Sequence, residues 1–215
     1  MNKKWIVTSF NHDISWINDY TQNYLIFDKS CSLQETDKIK HQKNVGYNIY
    51  DTFYFIVNNY NNLPDVCVFI KGNVLNRAEP HCTKEKFDRI INNNILTPIE
   101  SYEHIVQSQA QILDENGGYM EINNSWYINA VGVKKFFNSF DQFLNTVFED
   151  AVHRHWNRFA PGANYIVPKD NILFYSKDFY KRLMGYVDYH QTPSEAHVLE
   201  RAMFTIWKNE FKEKS

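Results

Sequence analysis

Two lysines, one glycine and a scatter of carboxylates and imidazoles are the residues of this 215-residue chain whose types and spacing could do chemistry. Lys43 opens Lys43-Asn-Val-Gly-Tyr-Asn48, a loop feeding an apolar-striped segment, and Lys71 opens Lys71-Gly-Asn73, directly after an apolar run. Gly46 lets backbone approach a ligand, a helix N-terminus offers free N–H groups to an anion, and two ammonium groups add positive charge for a diphosphate. The same residues also suit a plain turn beside two solvated lysines. Glu79-Pro-His81 makes a carboxylate–imidazole corner for a divalent ion. His197 stands between Glu195 and Glu200 near an expected helix start. His153 and His155 are two apart, and on a helix they point to different sides, unlike an H-E-x-x-H zinc pair. For each of these imidazoles a surface or capping role remains open. No G-x-S-x-G, P-loop, G-x-G-x-x-G or C-x-x-C occurs, which removes the usual support for hydrolase, P-loop kinase, Rossmann dehydrogenase and thioredoxin readings.

These residues need elements to position them. Trp5–Ser9 and Tyr24–Phe27 read as strands, with Asp13 set to cap a helix bearing Ile14, Ile17 and Tyr20. Ile49, Tyr50, Phe53, Ile56, Val57 and Tyr60 repeat with a helical period, and Asn61-Asn62 with Pro64 ends that helix. Val66–Ile70 is apolar on both faces, as a central parallel strand between helices must be. Strand, helix, strand in this order implies a right-handed crossover and an α/β fold. Lys84–Asn94 and Ser101–Glu115 both carry helical stripes, and Gly117-Gly118 turns the chain into a strand over Tyr119–Ile122. A helix is expected from Phe140 to Ala151, a break at Pro161-Gly162, then Tyr165–Val167, Phe179–Tyr189 and a long helix through Ala196, Leu199, Met203, Ile206 and Trp207. No repeat or linker divides the chain, so one domain over residues 1–215 is expected. In open α/β sheets ligands sit beyond the carboxyl ends of the strands. That rule selects Thr8–Asn11, Asp28-Lys29, Lys71–Asn73 and Lys43–Asn48.

Composition narrows the class. Hydrophobic residues make up 43% and aromatics 16%, enough for a sizeable core, and the 14 Tyr and 5 Trp also suit sugar-binding surfaces. The formal charge is −2 with Lys and Arg spread throughout, so no clustered basic face points to nucleic acid. Cys31, Cys67 and Cys82 match no zinc or disulfide spacing and read as reduced thiols. No signal peptide precedes Trp5–Ser9 and no run approaches the ~20 apolar residues of a membrane span, so a soluble cytoplasmic protein without a transmembrane segment is expected.

Several segments, in order, resemble a known family. Phe10-Asn-His-Asp-Ile-Ser-Trp16 is similar to its N-E-D-x-S-W. Asn44-Val-Gly-Tyr-Asn48 is similar to N-x-G-R-E, and Leu63-Pro-Asp-Val-Cys-Val-Phe-Ile-Lys-Gly72 to L-P-D-x-x-x-F-L-Q-G. Pro161-Gly-Ala-Asn-Tyr-Ile-Val167, followed by Ile172 and Phe179-Tyr180, resembles G-A-Q-F-x-V and F-Y-x-x-L. His197-Val-Leu-Glu-Arg201 with Trp207 resembles L-E-R-x-W. The family is DUF3431, and with it the small glycosyltransferase domains encoded by large algal viruses.

The resemblance implies a GT-A-like α/β fold: one domain, a central mostly parallel, mixed sheet with helices on both sides. It implies a nucleotide-sugar donor, a UDP-sugar first, a glycan acceptor, and Mn²⁺ or Mg²⁺. Thr8, Ser9, Phe10 and Asn11 would then contact the nucleotide, with Asp28 a lesser candidate. Lys43, Asn44, Gly46, Tyr47 and Asn48, with Lys71, Gly72 and Asn73, would complete the donor site. GT-A enzymes typically place an acidic D-x-D where this chain has Lys71-Gly72-Asn73. Either Glu79 and His81 hold the metal with the diphosphate, or Lys71 supplies the charge itself. Glu195 and Glu200 are the candidate catalytic carboxylates, Glu200 doubling as a possible brace for Arg201. Trp126, Trp156 and Gly162 are acceptor-side candidates. Two rival readings use the same donor site: a non-catalytic nucleotide-sugar-binding module and a nucleotide-sugar hydrolase.

Overall fold

A computed structural model describes residues 1–77, 80–101, 109–129 and 133–214. The first two strands form as the sequence requires, β1 (Lys3–Ser9) and β2 (Tyr24–Asp28). Between them the Asp13 carboxylate accepts the Ser15 N–H at 2.9 Å, but the chain makes a 3₁₀ turn over Ser15–Asp19 in place of the expected helix. One short turn already brings Trp16 and Tyr20 against Trp5 and Phe87, with ring centroids 5.2–6.3 Å apart. The polar loop after β2 contributes β3 (Ile39–His41). α1 (Tyr47–Asn59) then leads into β4 (Val66–Lys71), the crossover that periodicity predicts.

α2 (Lys84–Ile90) starts where Thr83 Oγ1 accepts the Lys86 N–H, and β5 (Thr97–Pro98) follows. The expected helix over Ser101–Glu115 is corrected in its last part: Gln111–Leu113 is strand β6, while residues 102–108 lie outside the described residues. Turn chemistry overrides the helical stripe there. Asp114 Oδ1 accepts N–H bonds from Asn116 and Gly118 at 2.9 and 2.7 Å, and Gly117 takes φ +75°, closing a hairpin into β7 (Tyr119–Ile122). α3 (Phe140–Val147), capped by Ser139, is shorter than expected because Phe148 turns extended and pairs with Glu213. His153 and His155 therefore lie in the connection to β8 (Trp156–Arg158), on no helix. β9 (Tyr165–Pro168), α4 (Lys169–Leu173), α5 (Lys177–Gly185) and α6 (Ser194–Trp207) complete the order.

Among the described residues six strands form one sheet in the order β3-β2-β1-β4-β9-β5. β3, β2, β1 and β4 run parallel, and β9 is antiparallel to both β4 and β5. β6, β7 and β8 form a separate antiparallel sheet. The main sheet splits the core by its two-residue period. Ile6, Phe27, Cys67, Phe69 and Val167 face the side of α1, α3, α5 and α6, whereas Trp5, Val7, Ile26, Val68 and Ile166 face the 3₁₀ turn and α2. The fold is thus mixed α/β, with a mostly parallel central sheet covered by helices on both faces.

Candidate functional site

The strand order reverses at β1: the chain leaves it for β2 on one side and returns to β4 on the other. Outside the carboxyl ends of such a strand pair a crevice opens, because the two connections depart to opposite faces. Here the register sets Thr8 beside Lys71, and Gly72 N–H donates to the Thr8 carbonyl at 2.8 Å. β9 runs the other way, so the Pro161–Asn164 corner reaches the same rim, where Asn164 Oδ1 accepts the Lys71 N–H at 2.9 Å. The N-terminus of α1 and the first turns of α6 close the remaining sides.

Three adjoining lobes of about 110, 170 and 330 Å³ occupy this rim, and Lys71 lines all of them. Thr8, Phe10, His12 and Asn73 face the first end; Tyr47, Asn48 and Glu200 the middle; Tyr119, Glu121 and Trp126 the far end. Phe10 is 47% and Trp126 57% exposed, so both offer a flat face to solvent. Burial lowers the Lys71 pKa, with Arg77 and Lys29 adding to it against Glu200. Burial, then Lys71, lowers that of His12. His81 is pushed down to about 3 by burial, Lys71 and Arg77, so its ring is neutral and accepts from Arg77 Nη1. Burial opposes ionisation of Glu200, but Arg201, His197 and Lys71 outweigh it and hold the carboxyl well below the usual range. Gly162 N–H and Arg201 Nη1 both donate to that carboxylate, and His197 Nδ1 lies 3.7 Å away.

Gly162 shows how tightly this corner is built. Its φ is +83°, its carbonyl accepts Asn48 Nδ2 at 2.9 Å, and an added Cβ would stand 2.2 Å from His81 Nδ1. Behind the first end, buried Lys29 donates to the Val45 and Tyr47 carbonyls, the latter in a short contact, and pairs with Asp51 at 3.5 Å. Thr8 Oγ1 donates to the same Asp51 at 2.8 Å. Lys29 thereby pins a loop whose Gly46 and Tyr47 both take positive φ, which aims Tyr47 and Asn48 into the cleft.

A family model described as "Protein of unknown function (DUF3431)" matches residues 6–215. The chain belongs to DUF3431. No curated protein and no solved structure matches it. The segments that carry the DUF3431 resemblance are far apart in the chain, yet Phe10, Tyr47, Lys71, Gly162 and Glu200, one from each, line the same rim.

The cleft gathers Thr8, Phe10, Tyr47, Asn48, Lys71, Asn73, His81, Trp126, Gly162 and Glu200 from the expected site residues. It leaves others out. Ser9 is buried under the rim, and Asn11 is exposed with φ +54°. Asp28 organises its own loop by accepting from Ser30 and Leu33. Lys43 lies over Tyr50 and faces Asp188, and Asn44 lines no lobe. Gly46 makes its close approach to Val187 (O at 2.6 Å from an added Cβ) and to no ligand space. Gly72 lies beneath His12, its carbonyl accepting from Trp16 Nε1 at 2.9 Å. Glu195 is buried away from the cleft, accepting from Lys135 N–H, Phe136 N–H and Tyr189 Oη. Trp156 heads β8 against His155 and lies outside these lobes. Glu79 lies outside the described residues.

Sequence reasoning missed His12, Arg77, Tyr119, Glu121 and Arg201 as site residues, and named His197 without assigning it there. Two of them carried a signal: His12, inside the family-like Phe10–Trp16 segment, and Arg201, the immediate neighbour of Glu200.

The divalent ion that the resemblance implies meets a poor donor set among the described residues. Mn²⁺ and Mg²⁺ want several free oxygen ligands. No three His, Cys, Asp or Glu converge among those residues, and Glu200 is already shared between Gly162 and Arg201. Asn73 Oδ1 is buried without a hydrogen bond, a neutral acceptor suited to a ligand hydroxyl. Among the described residues no helix is long and apolar enough to cross a membrane.

Proposed function

We propose that this DUF3431 protein is a glycosyltransferase that moves a sugar from a nucleotide-sugar donor, a UDP-sugar first, to a glycan acceptor. One observation carries the reading: three adjoining cavities at the β1–β4 switch point that share Lys71, with an exposed aromatic at each end and Lys71 and Arg77 between them. Phe10 offers a face to the base, Lys71 and Arg77 charge to the diphosphate, and Trp126 flat surface to an acceptor sugar. The mostly parallel sheet between two helical layers is compatible with the GT-A-like arrangement that the resemblance implies, and free Cys31, Cys67 and Cys82 agree with a cytoplasmic setting.

In transfer, the bond between the anomeric carbon and the diphosphate oxygen breaks and its electron pair leaves with the diphosphate. The acceptor oxygen bonds to that carbon and its proton goes to a base. Glu200 makes a weak base, since Arg201, His197 and Lys71 hold it ionised against burial. Its fixed negative charge is instead placed to stabilise positive charge growing on the anomeric carbon. His197, beside Glu200 and with ring centroids 5.6 and 5.8 Å from Tyr47 and Trp126, is the base we assign.

UDP, GDP and CMP should be tested for thermal stabilisation, and their sugar donors for breakdown with and without glycan acceptors. UDP should stabilise the protein, and His197→Ala should lower turnover about 10²–10⁴-fold while UDP binding persists. Stabilisation by no nucleotide overturns the reading. The engagement of Glu200 by Gly162 and Arg201 favours one rival, a non-catalytic binding module, which UDP binding without turnover would support. Donor breakdown that no acceptor diverts would point to a hydrolase.

A further inference from the structure

We infer that the anion seat of this cleft works without a divalent metal: Lys71 and Arg77 supply the positive charge that a diphosphate needs. The identification of the anion as a diphosphate rests on the transferase reading; the seat itself rests on geometry. Lys71 ends β4, a strand paired on both sides, its backbone N–H held by Asn164, and it lines every lobe of the cleft. Among the described residues it forms no salt bridge, although Glu200 lies close enough to perturb it.

Arg77 comes from the turn after β4 and lines the same two lobes as Lys71 on the donor and far sides. The His81 ring, held 3.2 Å from Asn164 Nδ2, accepts one of the five N–H donors of Arg77 at Nε2 and so orients the guanidinium. The remaining donors suit phosphate oxygens, for which the planar fork of arginine is well matched. Burial around Lys71 disfavours its charged form on its own, but it also strengthens attraction to an incoming anion, and the bound anion in turn favours the ammonium. A dication in the same space would face Lys71 and Arg77 together, with a Glu200 carboxylate already engaged on both oxygens. When the sugar–oxygen bond breaks, the pair left on the diphosphate is met by these two cations, and no further reactant is required.

The test uses the full chain stripped of metal, with UDP and inorganic pyrophosphate titrated by calorimetry in EDTA and, in parallel, in Mn²⁺. UDP affinity in EDTA should stay within about threefold of that in Mn²⁺, and Lys71→Met should weaken both probes about tenfold or more. Arg77→Ala, at an exposed position that should leave folding intact, should weaken them about fivefold or more. A tenfold loss in EDTA, or unchanged affinity in both variants, overturns the inference. UDP-sugar turnover that needs Mn²⁺ would overturn it and leave the transferase reading standing. Metal-free pyrophosphate binding through Lys71 without any sugar transfer would do the reverse. Failure of both probes to bind under every condition would end both.

Discussion

Replacing Gly162 by alanine should damage both stability and the cleft, and the size of the effect follows from the geometry. An alanine Cβ would lie 2.2 and 2.3 Å from His81 Nδ1 and Cε1 and 2.7 Å from Asn164 Nδ2. Reaching an ordinary contact of 3.4 Å requires the imidazole to retreat about 1.2 Å (3.4 less 2.2), but that ring is buried between Asn164 and Arg77. Left-handed backbone at φ +83° adds about 1–2 kcal/mol for a residue with a Cβ, and overpacking adds about 1–3. The sum, about 2–5 kcal/mol, corresponds to a Tm lower by about 4–20 °C for a chain of this length. Differential scanning calorimetry measures that shift, and UDP titration the accompanying loss at Lys71, whose backbone depends on Asn164. A second arm isolates the cause. His81→Ala removes the ring, so Gly162→Ala should cost less in that background than alone. A Tm within 2 °C of the parent, or strict additivity in the double variant, would refute the cradle.

Asp51 is pushed up to about 6 by burial, which Lys29 and Thr8 only partly offset. A carboxyl raised in the folded state binds its proton more tightly there than in the unfolded chain. Its contribution to stability is therefore present below about pH 4 and lost as the pH rises to about 6, on the order of 2–3 kcal/mol. Urea unfolding across that window should show the parent losing stability relative to Asp51→Asn as the pH rises; a pH-independent difference would count against it. Glu195→Gln should lower stability by roughly 1–3 kcal/mol, since one carboxylate serves two backbone N–H groups and Tyr189, while turnover per folded molecule stays unchanged. A selective loss of turnover would restore Glu195 to the chemistry. Trp126→Ala should raise the KM for acceptor about fivefold or more with UDP affinity unchanged, and equal loss for both ligands would remove Trp126 from the acceptor end.

The parts of the fold that were legible are those whose pattern has one physical solution. Val66–Ile70 is apolar at every position, and in the structure its residues alternate between the two cores of a sheet covered on both sides. The α1 stripe likewise fits a helix with one buried face. Gln111–Leu113 failed because Ile112 and Leu113 fall at helical spacing from Ile105 and Val106, while the Asp114–Gly118 turn that decides the matter is a local backbone effect. Of the cleft, Lys71 and Tyr47 were reachable from strand and helix ends. Tyr119 and Glu121 were not, since their arrival depends on how the second sheet docks against α6, and Arg77 was not, since the irregular turn after β4 that carries it has no periodicity to read. Gly46 misled for a related reason: a glycine with φ +58° signals a close approach, but not what approaches, and here it is Val187.

Buried charge on either side of Lys71 explains why this rim can present a fixed constellation. At the Thr8 end Lys29 and Asp51 are fully enclosed, and a buried ion pair often stabilises a fold no better than apolar residues of the same volume. Their geometry does something apolar residues could not: Lys29 ties the Val45 and Tyr47 carbonyls, and Asp51 ties Thr8, so the loop and the strand end are locked together. At the far end Arg201 bridges Glu121 at 2.8 Å and Glu200, while lying 4.5 Å from the Tyr127 and Phe159 ring centroids. Glu121 in turn accepts from Trp126 Nε1 at 2.7 Å. The exposed aromatic face, the ionised carboxylate and the Gly162 corner are therefore one connected unit. Lys71 lies between the two networks, coupled to Glu200 through space but in no salt bridge among the described residues, so both networks bear on the one cation that lines every lobe.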